Sequence, residues 1–290
     1  MGFETVLQVL LGGILQGGLY ALVAFGLSLI YGVVRILNFA HGTLLAVAGV
    51  LASAAFTALG WNPLLIAAVL CPVFFVLAMA FYQVLLRPLE RRNAYESIVG
   101  TVLVTVGALL ILSDLTASLA GPTQRNITLR LPSIEVGAIV VPMTQLVVLA
   151  GIVVLTAAMH VILTRTRFGR AVRAVTQDEV GAAICGIRGG RVKALTFGFG
   201  SATVALAAVL YVLSYPVDPY MGFALTVKAF TIIVVGGIGN LPGALAAGVF
   251  LGVAEGLTAL YFRPEWAPAL SVILMLTVLV ARPKRLGFKA

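Results

Sequence analysis

TRTRFGRAVRAVTQDEVGAAICGIRGGRVK, residues 164–193, is the stretch that orients the rest of the chain. It holds seven Lys/Arg (Arg165, Arg167, Arg170, Arg173, Arg188, Arg191, Lys193) and two acids, in a protein that is only 10% charged. It also carries helix punctuation. Thr176 followed by Glu179 reads as a capping box, each side chain satisfying an orphan N–H of the first turn. Gly186 falls where a left-handed C-terminal cap is expected, after Ala182, Ala183, Ile184 and Cys185. The expectation is a short helix lying on a surface, held between two long apolar segments and offering a handle to something soluble.

Outside this stretch the chain is apolar almost throughout. With 61% hydrophobic residues and a mean hydropathy of +1.12, it is excluded from the water-soluble class, where about a quarter of residues are charged. Apolar runs recur at about 6–31, 43–59, 63–86, 97–118, 142–163, 194–215, 224–239, 242–262 and 267–281. Most are long enough to cross a hydrocarbon core of about 30 Å as a helix, and the 31 glycines favour close helix–helix approach. The expected fold is an all-α polytopic membrane protein with about eight to nine transmembrane helices. It forms one domain over 1–290, with a basic loop at 164–193 and an opposite loop at 120–141.

The net charge of +9 reports topology, not nucleic-acid binding. If residues 164–193 lie in the cytoplasm, alternation places all but four of the 19 Lys/Arg on that side; the exceptions are Arg125, Arg130, Arg263 and Lys228. The bias predicts an outside N-terminus and a cytoplasmic C-terminus bearing Arg282, Lys284, Arg285 and Lys289. The opening MGFETVLQ has no basic n-region, so no signal peptide is expected. Cys71 and Cys185 fall in different environments and are not expected to pair. With His41 and His160 as the only histidines, a structural metal site is not expected. The sequon Asn126-Ile127-Thr128 carries little weight in a bacterial chain.

Two apolar segments do not behave like ordinary spans, 43–59 being barely long enough and 224–239 shorter still, and each adjoins a polar, Gly-containing break. Asn38-Phe39-Ala40-His41-Gly42 precedes one; Gly236-Gly237-Ile238-Gly239-Asn240-Leu241-Pro242-Gly243 follows the other. Unpaired backbone at membrane depth is tolerated only where protein or a water-filled cavity covers it. Short, Gly/Pro-interrupted segments in two halves point to a transport site. Residues 29–49 and 232–252 read as a weak internal repeat of this kind, giving two broken helices in pseudo-repeated halves. Asn38 and His41 either cap the following half-helix or face the solute, with Thr43 as an alternative N-cap; a proton relay through His41 is a further possibility. Lys228 and Glu255 lie 12 and 15 residues either side of Asn240. At 1.5 Å per residue they stand roughly 18 and 22 Å from the shared turn, so they can meet as an intramembrane ion pair. The alternative is that Lys228 receives a carboxylate at the outer mouth. The Gly-rich run lacks G-x-x-x-x-G-K-[ST], and no ATP site is identified in this chain.

Three motifs in order now carry a resemblance: Asn38-Phe39-Ala40-His41-Gly42; Thr166-Arg167-Phe168-Gly169-Arg170-Ala171-Val172-Arg173-Ala174 with Asp178 and Gly186-Ile187; and Lys228-Ala229-Phe230-Thr231 through Gly236–Ala244 to Gly252-Val253-Ala254-Glu255. Together they resemble the LivH-type permease of branched-chain amino acid ABC importers, over nearly the whole chain. The resemblance implies an inner-membrane subunit paired with a LivM-like second permease, two cytoplasmic ATPases that hold the ATP and Mg, and a periplasmic substrate-binding protein. It implies an ATPase-coupling segment with Phe168, Gly169, Arg170, Arg173, Thr176, Asp178, Glu179 and Gly186. It also implies a pathway or gate with Asn38, His41, Gly42, Thr231, Gly236, Gly237 and Asn240. No cofactor in this chain and no nucleic-acid partner are expected. The alternative is a stand-alone secondary transporter or channel, which normally needs ion-coordinating carboxylates at mid-membrane. An intramembrane enzyme has least support, since Asp114, Asp178 and Asp218 are scattered and no Ser/His pairing shares a depth.

Overall fold

The computed structural model describes residues 3–129, 131–136, 139–262 and 264–281. Arg130, Arg263 and the basic residues Arg282, Lys284, Arg285 and Lys289 lie outside the described residues. Among the described residues the regular structure is helical apart from one β-hairpin. In order it forms α1 (Phe3–Val34), α2 (His41–Leu59), α3 (Pro63–Phe81), α4 (Ala94–Ala120), β1 (Ser133–Val136), β2 (Ile139–Pro142), α5 (Met143–Arg165), α6 (Arg167–Gln177), α7 (Glu179–Ile184), α8 (Gly189–Val212), α9 (Gly222–Gly236), α10 (Leu241–Tyr261) and α11 (Ala267–Ala281). Among the described residues, seven helical segments are long and apolar enough to cross a membrane, and α9 and α11 are shorter apolar helices. This is a multi-pass membrane protein.

Helices α1 and α8 form the centre, buried on nearly all sides. Glycine sets how closely the others approach. Gly13 and Gly17 on α1 face Gly248 and Gly252 on the antiparallel α10, and a Cβ at Gly17 would stand 2.4 Å from the Gly248 carbonyl oxygen. Gly26 and Gly200 meet similarly where α1 crosses α8. In lipid, where apolar side chains gain little by leaving the solvent, such backbone proximity and its dispersion contacts hold helices together. Helices α3, α4 and α5 ring this centre and expose apolar side chains such as Leu64, Leu103, Ile111 and Val154 to lipid.

Both sequence breaks abut α1, but they are built differently. The first is an irregular segment that returns alongside α1, so that His41 begins α2 beside Val23. Arg35 closes α1 at φ 59°, its N–H donating to Tyr31. The second is a tight turn between α9 and α10, with Gly237 at φ 93° and Gly239 at φ 75°, regions that favour glycine. Gly239 N–H donates to Ser28 Oγ on α1 at 2.7 Å.

The basic stretch forms two helices rather than the single one expected. Thr166 is the N-cap of α6, accepting from Gly169 N–H at 3.2 Å. The capping box at Thr176 and Glu179 is corrected. Backbone at Asp178 turns extended (φ −153°, ψ 108°), which leaves Thr176 in the last turn of α6, donating to Val172 O at 2.8 Å. Asp178 is the cap of α7 instead, accepting from Val180 N–H at 3.0 Å. Gly186 ends the stretch at φ 81°, where Ile187 N–H returns to Ala182 O, a left-handed cap as expected. Replacing Asp178 by Ala is expected to weaken α7 by about 1 kcal/mol, read as roughly fivefold faster amide exchange at Ala182 and Ala183.

At the opposite end, the segment after α4 crosses the bundle. Arg125 and Val217 exchange backbone hydrogen bonds, and Ile127 is buried beneath. The turn and extended structure expected for 120–141 corresponds to this crossing and to the β1–β2 hairpin.

Candidate functional site

Four places gather the residues of interest. The first is the α2 break. Asn38 Oδ1 accepts from Ala40 N–H at 3.1 Å, and His41 Nε2 lies 3.1 Å from Val23 O. Both side chains are buried. Neither Asn38 nor His41 caps α2, and Thr43 is an interior residue of that helix. The buried first-turn donor, Gly42 N–H, is satisfied from 184 positions away by Thr226 Oγ1 on α9 at 2.9 Å. Thr226 Oγ1 also lies 3.1 Å from Phe39 O. Gly42 is needed there, because a Cβ would stand 2.2 Å from Gly222 O. Asn38 borders an apolar cavity of about 300 Å³ between α2, α3 and α4.

The second place is a crevice where α5 and α10 flank α1. Its inner part, about 390 Å³, is lined by Ser28, His160, Arg173, Gln177 and Asn240 among apolar neighbours. A second lobe of about 510 Å³, lined by Ile14, Gly18, Ile152, Thr156 and Leu245, shares His160, Leu241 and Pro242 with it. Asn240 caps α10, accepting from Gly243 N–H at 3.2 Å. Gly236 is held by close approach, since a Cβ there would meet Gly243 O at 2.4 Å. Of the expected gate residues, Asn240 opens on this crevice. Thr231 is turned away, its hydroxyl 3.2 Å from Ser271 O on α11.

The third place is the basic end. On α6, Val172 and Val175 face inward, while Arg167, Arg170 and Arg173 are exposed. Phe168 packs on Phe199 of α8 (centroids 5.5 Å apart), and Gly169 is buried where a Cβ would stand 1.9 Å from Leu163 O. Phe168, half-buried, and Gly169, buried, thus seat the segment against α8 and the end of α5. What projects is α7, with Val180 71% and Ile184 83% exposed. Sequence reasoning missed both. Two apolar residues in a short run of small ones, Glu179-Val180-Gly181-Ala182-Ala183-Ile184-Cys185, carry no signal until the helix orientation is known.

Lys228 and Glu255 meet within the bundle, Nζ to Oε2 at 2.8 Å. Tyr20 OH lies 2.8 Å from the same Nζ, and Ser271 Oγ donates to Glu255 Oε1 at 2.7 Å. The site is thus closed by four side chains from α1, α9, α10 and α11. Among the described residues there is no group of three His, Cys, Asp or Glu able to hold a metal.

Comparison with known proteins bears on what this arrangement serves. A family model described as "Branched-chain amino acid transport system / permease component" matches residues 9–279. The high-affinity branched-chain amino acid transport system permease protein LivH of Escherichia coli (strain K12) is 34% identical over 97% of this chain and 95% of its own. The corresponding permease BraD of Pseudomonas aeruginosa is 31% identical over 96% of this chain and 94% of its own. Among solved structures, PsaBC from Streptococcus pneumoniae in complex with Fab aligns over 97% of this chain and 92% of that one, at 14% identity and a TM-score of 0.46.

Proposed function

Because this chain belongs to the family of permease components of branched-chain amino acid ABC transport systems, a transport subunit and not itself an enzyme, we propose that it is one wall of an ATP-driven import pore for a branched-chain or other small apolar amino acid, or a related small solute. It works beside a LivM-like second permease in a bacterial inner membrane. Two cytoplasmic ATPases supply the energy and a periplasmic binding protein delivers the solute. The basic end faces the cytoplasm and the N-terminus lies outside, as the Lys/Arg bias favours.

The observation that carries this reading is α7. A capped helix holding Val180 and Ile184 out into solvent, beside the exposed arginines of α6, is costly to leave bare and fits a groove on a soluble partner. Helices α6 and α7 then transmit ATPase closure. Arg170, Arg173, Asp178 and Glu179 form the charged rim, and Phe168, Gly169, Thr176 and Gly186 set its geometry. The solute route follows the α5–α10 crevice past Asn240, with Gly236 and Gly237 shaping the turn beside it. Its largely apolar lining suits an aliphatic side chain, and Ser28 and His160 offer hydrogen bonds to polar ends. The buried α2 break with Asn38, His41 and Gly42 is a hinge rather than a contact surface. Lys228 and Glu255 act as a structural pair. With Glu255 engaged in this way, it is a poor ion-coupling carboxylate, which counts against a stand-alone secondary transporter.

The test uses Val180→Asp with Ile184→Asp. Both side chains are exposed, so folding should be unaffected while co-purification with the ATPases is lost and uptake falls to background. Retained association, or solute accumulation by the chain alone in liposomes without any ATPase, would remove the basis of the assignment.

A further inference from the structure

Lys193, on the first turns of α8, has a geometry that the reading above does not use. Its Nζ lies 3.0 Å from Glu179 Oε1, the first residue of α7, and 3.3 Å from Glu90 Oε2 in the short turn between α3 and α4. Its side chain is only 12% exposed. Glu90 in turn accepts from Tyr82 OH at 2.7 Å. Tyr82 is fully buried and opens a π-helical turn, 82–86, at the end of α3. Its ring packs on Phe197 of α8 at 5.7 Å, and Phe197 borders the apolar cavity that Asn38 and Ala40 also line. Arg35, at φ 59° where the α2 break begins, lines two cavities of about 440 and 260 Å³ that Lys193 also lines.

An ammonium between two carboxylates from different elements behaves differently from an exposed surface pair. Displacing either carboxylate leaves a partly buried charge short of a partner, so the three groups tend to move together. The wide turn at 82–86 is a place where the helix ladder is already interrupted, and such bulges recur at functional sites. We propose that Lys193 is a positioning residue that ties α7 to the α3–α4 turn and, through Glu90 and Tyr82, to the wall of the α2 break. A displacement of α7 by its partner then reaches the bundle interior through this linkage. The α6 corner acts on α5 and the crevice. Lys193 acts on the opposite flank. The proposal rests on the reading of α7 as the ATPase-docking element.

The experiment uses the whole transporter, reconstituted with its ATPases, second permease and binding protein, and measures solute taken up per ATP hydrolysed. Lys193→Met is expected to lower this ratio by about tenfold, with ATP hydrolysis within about twofold of the parent, and Lys193→Arg to restore most of it. Glu179→Gln, at a half-exposed position that folding tolerates, is expected to lower it less. In the double variant Glu179→Gln is expected to add little to Lys193→Met, since both act through one contact. An unchanged ratio in Lys193→Met and Glu179→Gln overturns the linkage. If Lys193→Met does not assemble, Glu179→Gln and Glu90→Gln decide by the same ratio. Absence of ATP-dependent uptake by the parent complex instead tells against the function itself, so the two failures are separable.

Discussion

Lys228→Met is expected to destabilise the protein by about 3–5 kcal/mol, because it strands Glu255 as a carboxylate with 4% of its side chain exposed. Ser271 Oγ alone then remains to satisfy it. In a protein of this size the loss corresponds to a fall in melting temperature on the order of 10 °C. The double variant Lys228→Met with Glu255→Leu removes both charges and is expected to recover most of that loss. The asymmetry separates a buried pair from a free substrate-binding lysine. Thermal unfolding in detergent, followed by the monodispersity of the remaining species, reads it. If the double variant melts no higher than the single one, the pair is not what holds these helices. If Lys228 instead served the solute, the single variant would keep its stability and lose transport.

The second large effect is expected at Gly169. Its Cα sits so close to the last turn of α5 that a side chain would overlap Leu163 O. Thr166 fixes the corner from both sides, donating to Ile162 O at 2.5 Å and accepting from Gly169 N–H. Gly169→Val cannot be absorbed by a rotamer change, since the obstacle is backbone. Helix α6 must lift from the bundle, carrying α7 away from Lys193. Overpacking of this kind costs about 1–3 kcal/mol, borne locally at the basic end. Uptake is therefore expected to fall at least tenfold, about 1.4 kcal/mol in coupling, while the protein still inserts and the Lys228–Glu255 region keeps its stability. Transport by Gly169→Val at the parent rate would show that the corner is free to adapt.

These two sites also mark what could be read from residues alone. The spans were legible because hydropathy reports burial in lipid directly, and both breaks were legible because Gly, Pro and Asn interrupt that signal. The meeting of Lys228 with Glu255 followed from helix rise across one hairpin. Capping was legible only to within a turn. Thr176 and Asp178 both satisfy the N-cap preference, and the choice depended on where the backbone bends. Sequence did not disclose Thr226, whose hydroxyl completes a helix start far from it in the chain. Nor did it disclose the outward face of α7, which depends on how α6 is seated by Gly169. Thr231 belongs to the pathway only by the family resemblance, and helix rotation presents its hydroxyl to Ser271 on α11.

The bond from Thr226 to Gly42 bears on how the protein is made. A ribosome adding about 5–20 residues per second needs roughly 10–40 seconds to cover the 184 positions between them. For that interval α2 lacks the partner that closes its first turn within the nascent bundle. The amino-terminal half is thus unfinished until the ninth helix arrives, and a chain interrupted before residue 222 should be a target for membrane quality control rather than a stable half-protein.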